Sequence, residues 1–144
     1  MAVIERSALV LHSARQMFDL VNDVIHYPSF LPWCDGVEIH SSSDEEVVAS
    51  LNINKSGVKQ RFTTRNQLIE GHRIEMQLVD GPFSSLKGAW GFKALNETAC
   101  KVSLDLHFEV SGSLTSVAVG KVFQQVANAM VDAFVKRASE VYGK

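Results

Sequence analysis

Apolar and polar residues alternate without a break from Cys100 to Val110. Cys100, Val102, Leu104, Leu106, Phe108 and Val110 fall on one side, and Lys101, Ser103, Asp105, His107 and Glu109 on the other. That period of two predicts a strand with one dry and one wet face. The same period recurs in four more segments. Val47, Ala49, Leu51 and Ile53 share a face, as do Val58, Phe62 and Leu68, opposite Lys59, Arg61, Thr63, Arg65 and Gln67. Ile74, Met76 and Leu78 form a third set, and Leu86, Gly88, Trp90, Phe92 and Ala94 a fourth. Lys55-Ser56-Gly57, Glu70-Gly71 and Asp80-Gly81-Pro82 punctuate them as turns. Consecutive alternating strands with short connections predict an antiparallel meander.

Two segments depart from this period. Ser13-Ala14-Arg15-Gln16 fits a capping box, opening a helix to about Asn22 with Met17, Leu20 and Val21 on its apolar side. The prolines of Tyr27-Pro28-Ser29-Phe30-Leu31-Pro32-Trp33 forbid a long regular helix after it. From about Leu114 to Tyr142, Val119, Val122, Val126, Met130, Ala133, Ala138 and Val141 recur at helical spacing, and Phe123 and Phe134 widen the stripe. Such a helix is roughly 40 Å long, enough to cross a sheet. The predicted class is α+β: a strand, short helices, about six antiparallel strands and one long helix. The last helix is the only large apolar partner for the sheet's dry face. A curved sheet wrapped around one helix leaves an apolar hollow between them.

Composition narrows the field. The 144 residues, 46% apolar and 21% charged with a net charge of −2, suit one domain over 1–144. Near-neutral charge argues against binding nucleic acid through net charge alone. Cys34 and Cys100 are distant and form no metal or redox pair. No apolar run reaches the ~18 residues of a membrane span. The expectation is a cytoplasmic protein, with at most peripheral contact to an inner membrane.

No catalytic motif emerges. His12, His26, His40, His72 and His107 lack metal-ligand spacing, and Asp-Gly-Pro is first a turn. An enzyme of cyclase type needs an inward histidine or carboxylate, and the strand parity supplies none. The expectation is therefore a non-enzymatic protein that requires no cofactor or metal.

Three features point to binding instead. Gln60, Thr64 and Asn66 share the dry face of the Val58–Leu68 segment. Buried polar groups need partners, either backbone and water or a ligand head group. The Tyr27–Trp33 segment reads as a lid over the core or as a gate dipping into a membrane surface. Lys55, Lys59, Arg61 and Arg65 cluster in sequence, and Lys87, Lys93 and Lys101 share their outward parity on later strands. If the strands adjoin, these form a basic stripe suited to RNA phosphates.

Several motifs occur together in order. They are Tyr27-Pro28-Ser29-Phe30-Leu31-Pro32-Trp33-Cys34, Phe62-Thr63-Thr64-Arg65-Asn66, Val79-Asp80-Gly81-Pro82-Phe83 with Leu86-Lys87-Gly88-Ala89-Trp90-Gly91-Phe92, and Ala133-Phe134-Val135-Lys136-Arg137-Ala138 with Val141-Tyr142-Gly143. Over nearly its whole length the chain resembles the bacterial RatA proteins. These group with mitochondrial coenzyme Q-binding proteins in the START, or polyketide-cyclase-like, superfamily. The resemblance implies a helix-grip fold of about six or seven strands. It also implies two functions. The first is ubiquinone binding in a central tunnel, supporting respiratory electron transport. The second is association with the large ribosomal subunit, blocking its joining to the small one as a toxin. Trp33 resembles the quinone-binding branch.

Ubiquinone binding is the leading expectation. Its tail would lie among Phe62, Met76, Leu78, Leu86, Trp90, Leu104, Phe108, Phe123, Val126 and Met130, at about 0.8 kcal/mol per buried CH₂. Thr64 and Asn66 would contact the ring. Ribosome binding through Lys55, Lys59, Arg61 and Arg65 is the alternative. A tunnel of several hundred Å³ would favour the carrier, and a closed core a surface-binding role.

Overall fold

A computed structural model describes residues 2–110 and 116–143. Strand β1 (Ala2–Val10) leads through a capped helix α1 (Ala14–Asn22) and a 3₁₀ segment (Val24–Ser29) into six further strands. These are β2 (Cys34–Ser42), β3 (Glu46–Lys55), β4 (Val58–Ile69), β5 (Arg73–Asp80), β6 (Phe83–Asn96) and β7 (Ala99–Val110), followed by helix α2 (Ser116–Tyr142). The sheet order is β1-β7-β6-β5-β4-β3-β2, with antiparallel pairing throughout. This is the α+β arrangement that the alternation predicts and the helix-grip fold that the resemblance implies, with seven strands. The expected helix start near Leu114 lies outside the described residues.

Local chemistry places the elements. The Ser13 hydroxyl accepts from the Gln16 N–H, and the Gln16 side chain accepts from the Ser13 N–H, so the capping box is complete. Ser56 and Gly57 both take positive φ, the turn that matches strand twist in a two-residue hairpin. The meander then continues through β5 and β6, and β1 closes against β7.

The dry face packs on α2 through Val119, Val122, Phe123, Val126, Ala127, Val131, Phe134 and Ala138. Val141, expected in this stripe, is 49% exposed instead. In that last turn it is Tyr142 that reaches α1, donating its hydroxyl to the Gln16 carbonyl at 3.0 Å. Helix α1 adds Ala14, Met17, Phe18, Leu20 and Val21 to the same core.

Gly88 marks the tightest point of the sheet. A Cβ there would lie 2.2 Å from the Asp105 carbonyl oxygen and 2.9 Å from the Leu106 Cα. Backbone cannot swing aside as a side chain can. Gly88→Ala should therefore cost about 1–3 kcal/mol of stability in urea denaturation. Gly36→Ala, whose Cβ would meet only the mobile Asn52 side chain at 3.2 Å, should stay within about 0.5 kcal/mol. Equal effects of the two substitutions would contradict the packing described.

Candidate functional site

Helix α2 meets the sheet at two aromatic clusters. Phe123 packs edge-on against Phe62, Phe83 and Phe108, with centroids 4.8–5.5 Å away. Phe134 packs likewise against Tyr27, Phe30 and Trp90, at 5.3–5.4 Å. The two phenylalanines stand about three helical turns apart, roughly 16 Å. Between them α2 turns Val126, Ala127 and the flexible Met130 toward the middle of the sheet. A hollow results, closed on the sheet side by Leu51, Phe62, Thr64, Asn66, Ile74, Met76, Leu86, Trp90, Leu104 and Leu106.

The hollow is narrow. The space open to the centre of a water molecule is about 60 Å³. A sphere of roughly 10–15 Å³ holds one water by this measure, and ligand pockets run to roughly 300–1,000 Å³. As it stands the cavity is far smaller than an open tunnel, and a long tail would have to displace Met76 and Met130.

The sequence reading located this cavity closely. Trp33, Phe62, Thr64, Asn66, Met76, Leu86, Trp90, Leu104, Phe123, Val126 and Met130 all line it. Leu78 and Phe108 do not. Phe108 is consumed by the Phe123 cluster. Leu78 pairs with Thr64 next to a bulge at Val79 of β5, half-buried at the margin of the core. The expected set leaves out Ala49, Leu51, Ile74 and Leu106, whose alternation already points them inward, and Ala127 on α2. It also leaves out Val21, Val24 and Tyr27, which α1 and the 3₁₀ segment bring over the sheet. Only tertiary packing sets that approach.

The Tyr27–Trp33 segment covers the core as the lid reading expects. Tyr27, Leu31 and Trp33 are buried, with their side chains turned onto the core. Tyr27 donates its hydroxyl to the Val21 carbonyl. The remaining polar groups at the cavity are Thr64 and Asn66. The Thr64 hydroxyl donates to Asn66 Oδ1 at 3.0 Å, so each satisfies part of the other's need. Among the described lining residues Tyr27 is the one ionisable group, and desolvation holds its phenol far above the ordinary range. Acid–base catalysis has no poised group there. Burial also pushes the Cys34 and Cys100 thiols up, away from the reactive thiolate.

Outside the sheet, the basic residues do not merge into one stripe. β5 lies between β4 and β6. Across the outer face Glu5, Asp105, Ala89, Glu75, Gln67 and Glu46 form one continuous register row, which is acidic. Arg61 binds Glu38 at 2.7 Å, and Arg65 lies 3.5 Å from Glu46. The Arg61 hydrogen bond holds the Glu38 carboxyl below the usual range. Lys59 is exposed on the same face, whereas Lys55 ends β3 half-buried. One row carries the patch from β4 to β6, Arg65–Gln77–Lys87, whereas Lys93 and Lys101 lie beyond the acidic row.

One buried hydroxyl pair on this face escaped the pattern. Ser50 and Thr63 share a hydrogen bond of 2.5 Å, and His40 Nε2 lies 2.7 Å from Ser50 Oγ. His40 stands in a β2 irregularity between Ile39 and Ser41, which alternation cannot reveal. Ser50 is 1% exposed, so its hydroxyl is sealed from any substrate.

Known proteins extend the picture. Residues 10–135 match the family described as polyketide cyclase / dehydrase and lipid transport. A Pseudomonas aeruginosa protein named ribosome association toxin RatA is 51% identical over 140 residues, covering 97% of each chain. The Xenopus laevis protein named coenzyme Q-binding protein COQ10 homolog B, mitochondrial, is 29% identical, covering 92% of this chain and 56% of its own. Two solved structures superpose with TM-scores of 0.80 at 19% identity: the Zhui aromatase/cyclase from Streptomyces sp. R1128 and a START superfamily protein from Mycobacterium smegmatis. They cover 96% of this chain, and 93% and 98% of their own. At that identity they show the fold alone.

The sealed Tyr27 phenol has a consequence in alkali. An unfolded tyrosine loses its proton near pH 10, whereas the native Tyr27 keeps it. The native state then holds more protons than the unfolded one, and stability falls as pH rises above about 10. Tyr27→Phe should flatten that decline. A Tyr27 phenolate appearing near pH 10 in the folded protein, followed by near-ultraviolet absorbance, would contradict its burial.

Proposed function

We propose that this chain, which belongs to the polyketide cyclase / dehydrase and lipid transport family and within it to the RatA proteins, is a non-enzymatic ribosome-binding protein. Its partner in this reading is the large subunit, and its effect is to keep the two subunits apart. The observation that carries this is the 51% identity to a protein named for ribosome association, sustained over nearly the whole chain. The near-closed cavity agrees with a protein that acts through its surface. The contact falls on the outer face of β4, where Lys59, Arg61 and Arg65 project. Glu38 and Glu46 offset the two arginines only in part, since exposed ion pairs are weak and exchange readily for phosphate.

Sedimentation with purified subunits tests it. The protein should pellet with the large subunit at low salt, reduce the 70S peak, and release steeply as salt rises. Lys59→Glu, Arg61→Glu and Arg65→Glu together should weaken pelleting and lower the salt slope by about one per residue. No pelleting at low salt would end the proposal.

A second reading, binding of ubiquinone or a similar isoprenoid lipid, draws support from the apolar cavity and the Xenopus relative. Thr64 and Asn66 would then meet the head group once Met76 and Met130 yield. Organic extraction of purified protein followed by mass spectrometry should recover a quinone, and added ubiquinone should raise thermal stability by mass action. Repeated extraction without quinone and no shift on addition would exclude this ligand.

A further inference from the structure

Lys93 and Lys101 are register partners on the outer face of β6 and β7. Like charges set directly opposite are destabilising. Among the described residues, none of the ion pairs includes either lysine. Glu97, in the following turn, reaches neither. The fold thus holds two adjacent positive charges with no internal counterion.

Three leucines surround this pair. Leu9 is the β1 partner of Lys101 and is 73% exposed. Leu11 continues past the end of β1 and is 84% exposed. Leu95, in the irregularity between Ala94 and Asn96 of β6, is 52% exposed. Single exposed leucines are ordinary, but three on neighbouring strand ends make a patch. Tyr142 adds an amphipathic ring at the same end, against His12 at 5.8 Å.

We propose that this corner of the sheet docks the protein on an anionic lipid bilayer. The leucines enter the boundary between headgroups and acyl chains, and the lysines hold lipid phosphates. An RNA backbone would satisfy the lysines but leave the leucines in water. A polyanion laid over the face would also meet Glu5 and Asp105, two register rows away. A bilayer approached end-on touches only the corner. The proposal is independent of the ribosome reading and uses residues outside the β4 patch.

Vesicle sedimentation decides it. The protein should bind vesicles of phosphatidylcholine mixed with phosphatidylglycerol, bind phosphatidylcholine alone far less, and release as salt rises. Lys93→Glu with Lys101→Glu should weaken binding roughly 30-fold or more. Leu9→Ser, Leu11→Ser and Leu95→Ser together should weaken it at least as much. Both variants should keep the wild-type melting temperature and large-subunit pelleting, since all five side chains face water. Any of three outcomes would overturn the proposal. The first is no binding to anionic vesicles. The second is loss of ribosome pelleting in the lysine variant, which would make the corner an RNA face. The third is a solution dimer dissolved by the leucine changes, which would make it a contact between copies.

Discussion

One helix has to cover the dry face of a seven-stranded sheet, and everything else in the molecule follows from how it does so. A twisted sheet is concave toward its partner, while a helix is nearly straight. Contact is therefore uneven. Here it concentrates where Phe123 and Phe134 reach down to rings supplied by the strands and by the segment after α1. Between these two posts the helix carries smaller or more flexible side chains, and the space beneath them is the cavity. Its position is a result of matching a curve to a line.

The same geometry separates the two functional readings. The cavity lies under the helix, lined by apolar groups and the Thr64–Asn66 pair. The charged residues lie on the opposite face, sorted into rows by strand register. Because neighbouring strands align their outward residues, a row inherits whatever each strand places there. One row is acidic from Glu5 to Glu46, and the basic residues fall on either side of it. A near-neutral net charge thus conceals distinct local fields. A ligand inside and a partner outside would not compete for side chains.

Much of this was readable from periodicity. Alternation assigns each strand residue to the inside or outside, and so identifies most of the cavity wall on β4, β5, β6 and β7. It fails where the ladder is irregular. The bulge at Val79 of β5 shifts the pairing opposite Thr63 and Thr64, and the β2 irregularity turns His40 onto Ser50. It also fails for the non-repeating segment. Tyr27 and Trp33 have the composition of a surface anchor, yet their rings are buried against the core. Three aromatics in a proline-stiffened loop announce that something apolar is covered, without saying whether by membrane or by protein.

The sequence by itself determined the element types, the antiparallel meander, the dry face of each strand and the need for α2 to cover it. These depend on local periods and turn chemistry, which act over a few residues. The tertiary structure alone decided the size of the cavity, the loss of Phe108 and Leu78 from its wall, and the division of the outer charges into rows. Those depend on distances between residues far apart in the chain. Phe108 illustrates the difference. Its parity points it inward, but only the placement of Phe123 against it decides that it meets a ring and not a ligand.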